Sequence, residues 1–173
     1  MKKIIYLYLL AFAFFSTAYA ATVEVKWSEP DSYRDIHHGD DFKKSYREWV
    51  FFHFEKHFTK LAEDLPETQH LVIEVLNLDL AGDVHYGGIK LRRIIMARYY
   101  PRMEVRYELL DAEKEKIKSE HAFLKDTGFM YRGDLRYKNK ALGYERKMID
   151  DWFKKTFLKK LDSLNSRISV YSL

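Results

Sequence analysis

The chain has 173 residues, 47% hydrophobic and 32% charged, a balance that fits one globular domain with a real core and excludes a disordered or repetitive protein. It holds no cysteine, which removes disulfides, thiol nucleophiles, thiolate metal sites and a cysteine-linked lipid anchor together. The net charge of +4 includes Lys2 and Lys3, so the remainder gives no warrant for nucleic-acid binding.

Residues 1–20 have the three parts of a secretory signal: Lys2-Lys3, an apolar run from Ile4 to Phe15, and Ala18-Tyr19-Ala20 before Ala21. Cleavage is expected after Ala20. The apolar run is shorter than the roughly 20 residues that cross a bilayer, so the expectation is a periplasmic protein with no stable membrane anchor once the signal is removed. Residues 21–173 then form a single domain.

Val23, Val25 and Trp27 alternate with polar residues and predict a first strand, ended by Pro30. Residues 31–41 are polar and irregular and carry His37-His38. From 42 to 65, Tyr46, Val50, Phe54, Phe58, Leu61 and Leu65 recur at helical spacing, with Pro66 beyond the end. Trp49, Phe51 and Phe52 broaden that stripe, so this helix is expected to meet a loop or a second helix as well as a sheet.

The longest apolar run is 71–84. Alternation sends Leu71, Ile73 and Val75 one way and Val72, Leu76, Leu78 and Leu80 the other, which predicts a central strand covered on both faces. Ala81-Gly82-Asp83 reads as its stop and residues 85–88 as a loop. Strand character resumes over 90–100, and Pro101 bends the chain. Met103, Val105, Tyr107 and Leu109 alternate with charged residues, the pattern of a half-buried antiparallel strand, and residues 115–124 return as its hairpin partner. A loop over 125–143 interleaves basic and aromatic residues, and 144–164 reads as a closing helix through Met148, Ile149, Trp152, Phe153 and Phe157. The fold class expected is therefore α+β: a mainly antiparallel sheet packed by two long helices, preceded by a signal peptide.

Several groupings could carry chemistry. His53 and His57 share a helix face as in a zinc-protease helix, but Glu55 does not directly follow the first histidine, and no third ligand is identifiable. His37-His38 beside Asp40 and Asp41 could meet a divalent cation or face solvent. Asp79, Asp83 and His85 gather at the end of the long strand, where an acid–base set of a hydrolase-like enzyme could sit; the alternative is that they cap and turn the chain. Asp150-Asp151 beside Trp152-Phe153 could pair with cations or form a carboxylate dyad. In the 125–143 loop, Tyr131, Arg132, Arg136, Tyr137 and Lys138 could grip an anionic ligand or another protein. No cofactor-binding fingerprint appears and no metal or cofactor is expected.

Trp27 followed by Tyr33-Arg34-Asp35-Ile36, then Asp79-Leu80-Ala81-Gly82-Asp83, Leu124-Lys125-Asp126 with Gly128-Phe129-Met130, and Tyr144-Glu145 leading into Asp150-Asp151-Trp152-Phe153 span the chain. In these, the chain resembles the bacterial family known as domain of unknown function 3016. The resemblance implies an exported protein of a family with no assigned activity. The reading preferred from the residues is a non-catalytic binding or accessory module acting through the 125–143 loop on a periplasmic protein or anionic ligand. The enzyme and metal-binding readings remain its alternatives.

Overall fold

The computed structural model describes residues 21–33, 36, 43–86, 91–131, 134–137 and 139–158. The expected signal segment, His37-His38, Arg132, Lys138 and the tail lie outside these described residues.

In chain order the elements are β1 (Thr22–Trp27), α1 (Lys43–Ala62), β2 (His70–Asp79), β3 (Asp83–Tyr86), β4 (Leu91–Ile94), β5 (Arg102–Leu110), β6 (Lys116–Lys125) and α2 (Gly143–Phe153), which runs on into one π-helical turn at Lys154–Leu158. The main sheet has the order β1-β2-β5-β6, and β3 with β4 forms a separate two-stranded ribbon. β1 lies parallel to β2, from Thr22 opposite His70 to Trp27 opposite Val75. The intervening α1 makes this possible, because parallel neighbours need a long crossover and a tight turn cannot join them. β2–β5 and β5–β6 are antiparallel. These elements form one mixed domain of a sheet and two helices.

Both helices pack against one face of the main sheet. Val50, Phe54 and Phe58 of α1 and Met148, Ile149 and Phe153 of α2 join Leu71, Ile73, Val75, Met103, Val105 and Tyr107 in a single buried cluster. β5 alternates as its sequence predicts, with Met103, Val105, Tyr107 and Leu109 inward. Burying one such side chain is worth about 1.5–3 kcal/mol.

The expectation that β2 is covered on both faces is corrected. Only one face is buried, and the register slips between Val75 and Asn77. A bulge adds one residue and so reverses the parity of everything after it. Leu78 therefore returns to the core side and sits opposite Met103, both of them buried. Glu74, on the other face, accepts hydrogen bonds from Ser28 at 2.5 Å and Arg106 at 2.7 Å.

β2 stops by Asp79, just ahead of the expected Ala81-Gly82-Asp83 stop, but the loop expected over 85–88 is corrected in its first half. Asp83–Tyr86 is itself a strand, paired with Leu91–Ile94, and the predicted strand over 90–100 is only those four residues long before a turn closes from Tyr99 N–H to the Met96 carbonyl at 2.9 Å. Gly82, at φ +84°, permits the change of direction: a Cβ there would lie 2.6 Å from the Ile94 carbonyl oxygen.

The broad aromatic stripe of α1 meets three environments. Phe54 and Phe58 enter the core, and Phe51 stacks on Trp27 at 3.8 Å, beside Tyr33, whose hydroxyl donates to the Val75 carbonyl at 2.7 Å. Burial, with Glu74 nearby, pushes the Tyr33 phenol up to about 12. Trp49 remains 39% exposed and Phe52 58% exposed on the outer ridge. No helix among the described residues is long and apolar enough to cross a membrane.

Candidate functional site

Five parts of the chain meet in a cleft of about 290 Å³. The outer ridge of α1 contributes Tyr46 and Trp49; the turn after β2 contributes Leu80 and Ala81; the β4 end of the ribbon contributes Arg93 and Ile95. Tyr137 and Lys140 come from the loop, and Leu142, Tyr144 and Glu145 from the start of α2. Tyr137, Lys140 and Leu142, from the end of the loop, thus form one wall of a concavity.

That wall is held closely. Gly143 lies so near the loop that a Cβ would stand 2.2 Å from the Tyr137 carbonyl oxygen, so no side chain fits there without moving the backbone. Successive turns tie Tyr137 N–H to the Asp134 carbonyl at 3.0 Å, Lys140 N–H to the Tyr137 carbonyl at 3.0 Å and Gly143 N–H to the Lys140 carbonyl at 3.1 Å. Leu142, just ahead of α2, sits in the left-handed region at φ +54°, a conformation that costs a branched residue about 1–2 kcal/mol.

Behind the wall, Asp150 joins three elements. One carboxylate oxygen meets His57 Nε2 of α1 at 2.6 Å, and the other accepts from the Tyr137 hydroxyl. Burial raises the Asp150 carboxyl, but the hydrogen bonds from His57 and Tyr137 outweigh it and hold the group below the usual carboxylate range. Tyr137 is pushed the other way, above the usual phenol range, by burial and by the Asp150 charge its proton faces.

Glu145 is a buried carboxylate at the cleft floor, and its Oε1 accepts from Ala81 N–H at 2.7 Å. It stitches the start of α2 to the end of the long apolar run. Complete burial pushes its carboxyl up, against weaker opposing effects from the Ala81 N–H, Arg93 and Arg146. Above it, Trp49 stands between Tyr46, at 5.7 Å between ring centroids, and His53, at 4.3 Å.

The residues singled out from the sequence are placed as follows. Tyr131 is 83% exposed, and Arg136 is clasped to Asp134 at 2.6 Å, a contact that lowers the Asp134 carboxyl to about 2. Tyr137 turns inward to Asp150. Asp79 is engaged by Arg102 across the β2–β5 pair, whereas Asp83 and His85 lie 3.6 Å apart on the separate ribbon. The triplet at the strand end is thereby divided between two sheets. Asp83 also accepts from Val84 N–H at 2.8 Å, the chain-turning role weighed for it.

The histidines of α1 part company too. His53 joins the aromatic ridge, where burial first and then the charges of Arg146 and Lys56 lower it, and His57 goes to Asp150. Asp150 and Asp151 point to different partners, Asp151 receiving Lys147 at 2.6 Å, as neighbours about 100° apart on a helix must. Among the described residues no three potential metal ligands converge.

The sequence did not mark Arg93, Tyr46 or Glu145 as site residues, although Tyr46 stands in the helical stripe and Glu145 in the family motif. A signal for Glu145 existed, since it precedes Met148 and Ile149 by three and four residues and so lies in phase with the apolar stripe of α2. Nothing local announces Arg93.

A larger hollow of about 490 Å³ lies over the uncovered face of the sheet, lined in part by Asp79, Arg102, Glu104 and Phe123. Two of its charges pair with neighbours, Arg102 with Asp79 and Glu104 with His121 at 2.7 Å, and Lys125 on the same lining makes no ion pair among the described residues. It lies open on the sheet face away from the helices.

No curated protein and no solved structure shows a significant match to this chain. The family model described as Protein of unknown function (DUF3016) matches residues 21–155, a span that contains the main sheet, both helices and every residue lining the cleft. The chain belongs to the DUF3016 family.

Proposed function

We propose that this protein is exported to the periplasm, is cleaved after Ala20, and acts there as a non-catalytic binding or accessory module whose contact surface is the cleft with the 125–143 loop as its wall. The fold that goes with this reading is a mainly antiparallel α+β domain behind a cleavable signal peptide. The observation that carries the binding reading is the convergence of Tyr46 and Trp49 with loop residues Tyr137 and Lys140 around one concavity. Concave, mostly apolar sites with a few polar groups are where ligands bind. The export reading rests on the charged, apolar and small-residue order of residues 1–20.

Native mass spectrometry of the protein from a periplasmic fraction, beside a denatured control, tests both. The expected result is a mass matching residues 21–173 with a non-covalent adduct that is lost from a Trp49→Ala variant. Absence from that fraction, or retention of the first 20 residues, overturns export. A bare wild-type protein, or an adduct retained by the variant, overturns binding at the cleft.

A further inference from the structure

We propose that the cleft takes a small organic acid, a carboxylate carried on an apolar, ring-sized body. This rests on the binding reading above and adds the chemistry of the ligand.

Size comes first. About 290 Å³ is at the lower end of ligand-site volumes, enough for one or two rings. The lining then selects the body. Leu80, Ile95 and Leu142 supply aliphatic surface, and Tyr46, Trp49 and Tyr144 supply aromatic surface. A heavily hydroxylated sugar would lose its water there without enough hydrogen-bond partners to replace it. Trp49 and Tyr46 line the cleft together with their ring centroids 5.7 Å apart, so a ligand ring can join an existing aromatic cluster.

Charge selects the head group. Lys140 lines the cleft and makes no ion pair among the described residues, whereas Lys147 and Arg136 outside it are held by Asp151 and Asp134. Arg93 is already engaged, its Nη1 directed at the carbonyls of Ala81 and Gly82 at 3.4 and 3.3 Å, so the head group falls to Lys140. The acid on the lining, Glu145, faces Ala81 N–H, and its burial disfavours the charged form. The cleft therefore offers one ammonium, that of Lys140, beside a largely apolar lining. One mobile ammonium suits a monoanion better than a phosphate dianion, for which forked arginine pairs are the usual partners. The wall that bears Lys140 is already fixed by Gly143 and by the Tyr137–Asp150 contact, so little ordering is left for binding to do.

The test is titration of the isotope-labelled protein, read by amide chemical shifts, with phenylacetate, phenylacetamide, glucuronate, inorganic phosphate and the tripeptide Ala-Ala-Phe. Phenylacetate is expected to shift the amides of Ala81, Tyr137 and Glu145 saturably, phenylacetamide to bind about tenfold more weakly, and Lys140→Ala to lose about tenfold in phenylacetate affinity with distant amides unmoved. Equal binding of phenylacetamide removes the charge argument and overturns the proposal. So does glucuronate or phosphate acting at the same amides as strongly as phenylacetate. Binding of Ala-Ala-Phe without phenylacetate would make the occupant a peptide terminus instead. Any of these leaves the cleft a binding site. If no probe moves the cleft amides, the ligand class fails, and the mass-spectrometric adduct decides separately whether the binding reading fails with it.

Discussion

The uncovered face of the sheet and the cleft are both mixtures of aromatic and charged side chains, yet they are completed differently. Across the sheet, Arg102 meets Asp79, Arg106 meets Glu74, His121 meets Glu104 and Lys116 meets Glu108, each from a neighbouring strand. Such surface pairs are individually weak, and they occupy most of the charges on that face. Phe123 stands among them 71% exposed, with the His121 ring 4.7 Å away. At the cleft the pairing happens one layer deeper. Asp150 takes His57 and Tyr137 behind the wall, Glu145 takes the Ala81 amide beneath the floor, and the rim keeps Lys140. The difference teaches that buried polar contacts shape a surface that can receive, whereas surface ion pairs finish one that need not.

The largest effect expected from breaking this contrast is at Asp150. Asp150→Ala leaves two donors on two elements without their acceptor and should cost about 3 kcal/mol in urea unfolding. Asp79→Ala, which releases an exposed arginine, should cost under about 1 kcal/mol. Equal costs would abolish the distinction. Next is Gly143→Ala, whose added carbon meets the Tyr137 carbonyl; about 2 kcal/mol of destabilisation is expected, with amide shifts confined at first to 137–145. An unshifted loop would show that the wall is not held by that approach. Tyr137→Phe removes one hydrogen bond to a carboxylate and should cost about 1.5 kcal/mol.

Titration sharpens the same comparison through two carboxyls of opposite sign. The folded state depresses Asp150, so its contribution is present above the ordinary carboxylate range and is lost as pH falls through the folded value. The folded state raises Glu145, so its contribution is fully present below about pH 4.5 and is lost as pH rises from there towards the folded value. Relative to the parent protein, Glu145→Gln should therefore gain stability as the pH is raised from about 4.5, and Asp150→Asn should flatten the acid limb. Denaturant midpoints from pH 3 to 7 check both, and parallel curves for parent and variants would deny the two carboxyls their roles. The smallest change expected is Arg106→Ala on the sheet face, under about 0.5 kcal/mol; a loss above about 2 kcal/mol would mean that this face is not solvated.

Much of the frame was written locally. The alternation of 103–109 names the inward residues of β5, the stripe Val50, Phe54 and Phe58 names the core side of α1, and Pro30 and Pro66 bound what precedes them. Periodicity suffices there because one buried face repeats every 2 or every 3.6 residues. Where β2 carries a bulge the same logic misassigns Leu78, since a single added residue reverses parity and leaves no mark in composition. The four-residue ribbon of β3 and β4 is legible only once the Gly82 turn and its close approach to Ile94 are seen.

The candidate site was less legible for the same reason. The 125–143 loop could be chosen from its aromatic and basic interleaving, but the inward turn of Tyr137 depends on Asp150 and on His57, which is 93 residues from it. By itself the sequence determined β1, α1, β5, β6 and α2, the buried stripes of α1 and β5, and the family, because these follow from local spacing and residue kind. Only the tertiary structure decided which of two histidines one turn apart meets a carboxylate, which acids are buried, and that the loop is tied through Tyr137 to Asp150. Those outcomes depend on contacts between distant segments, which no local period encodes.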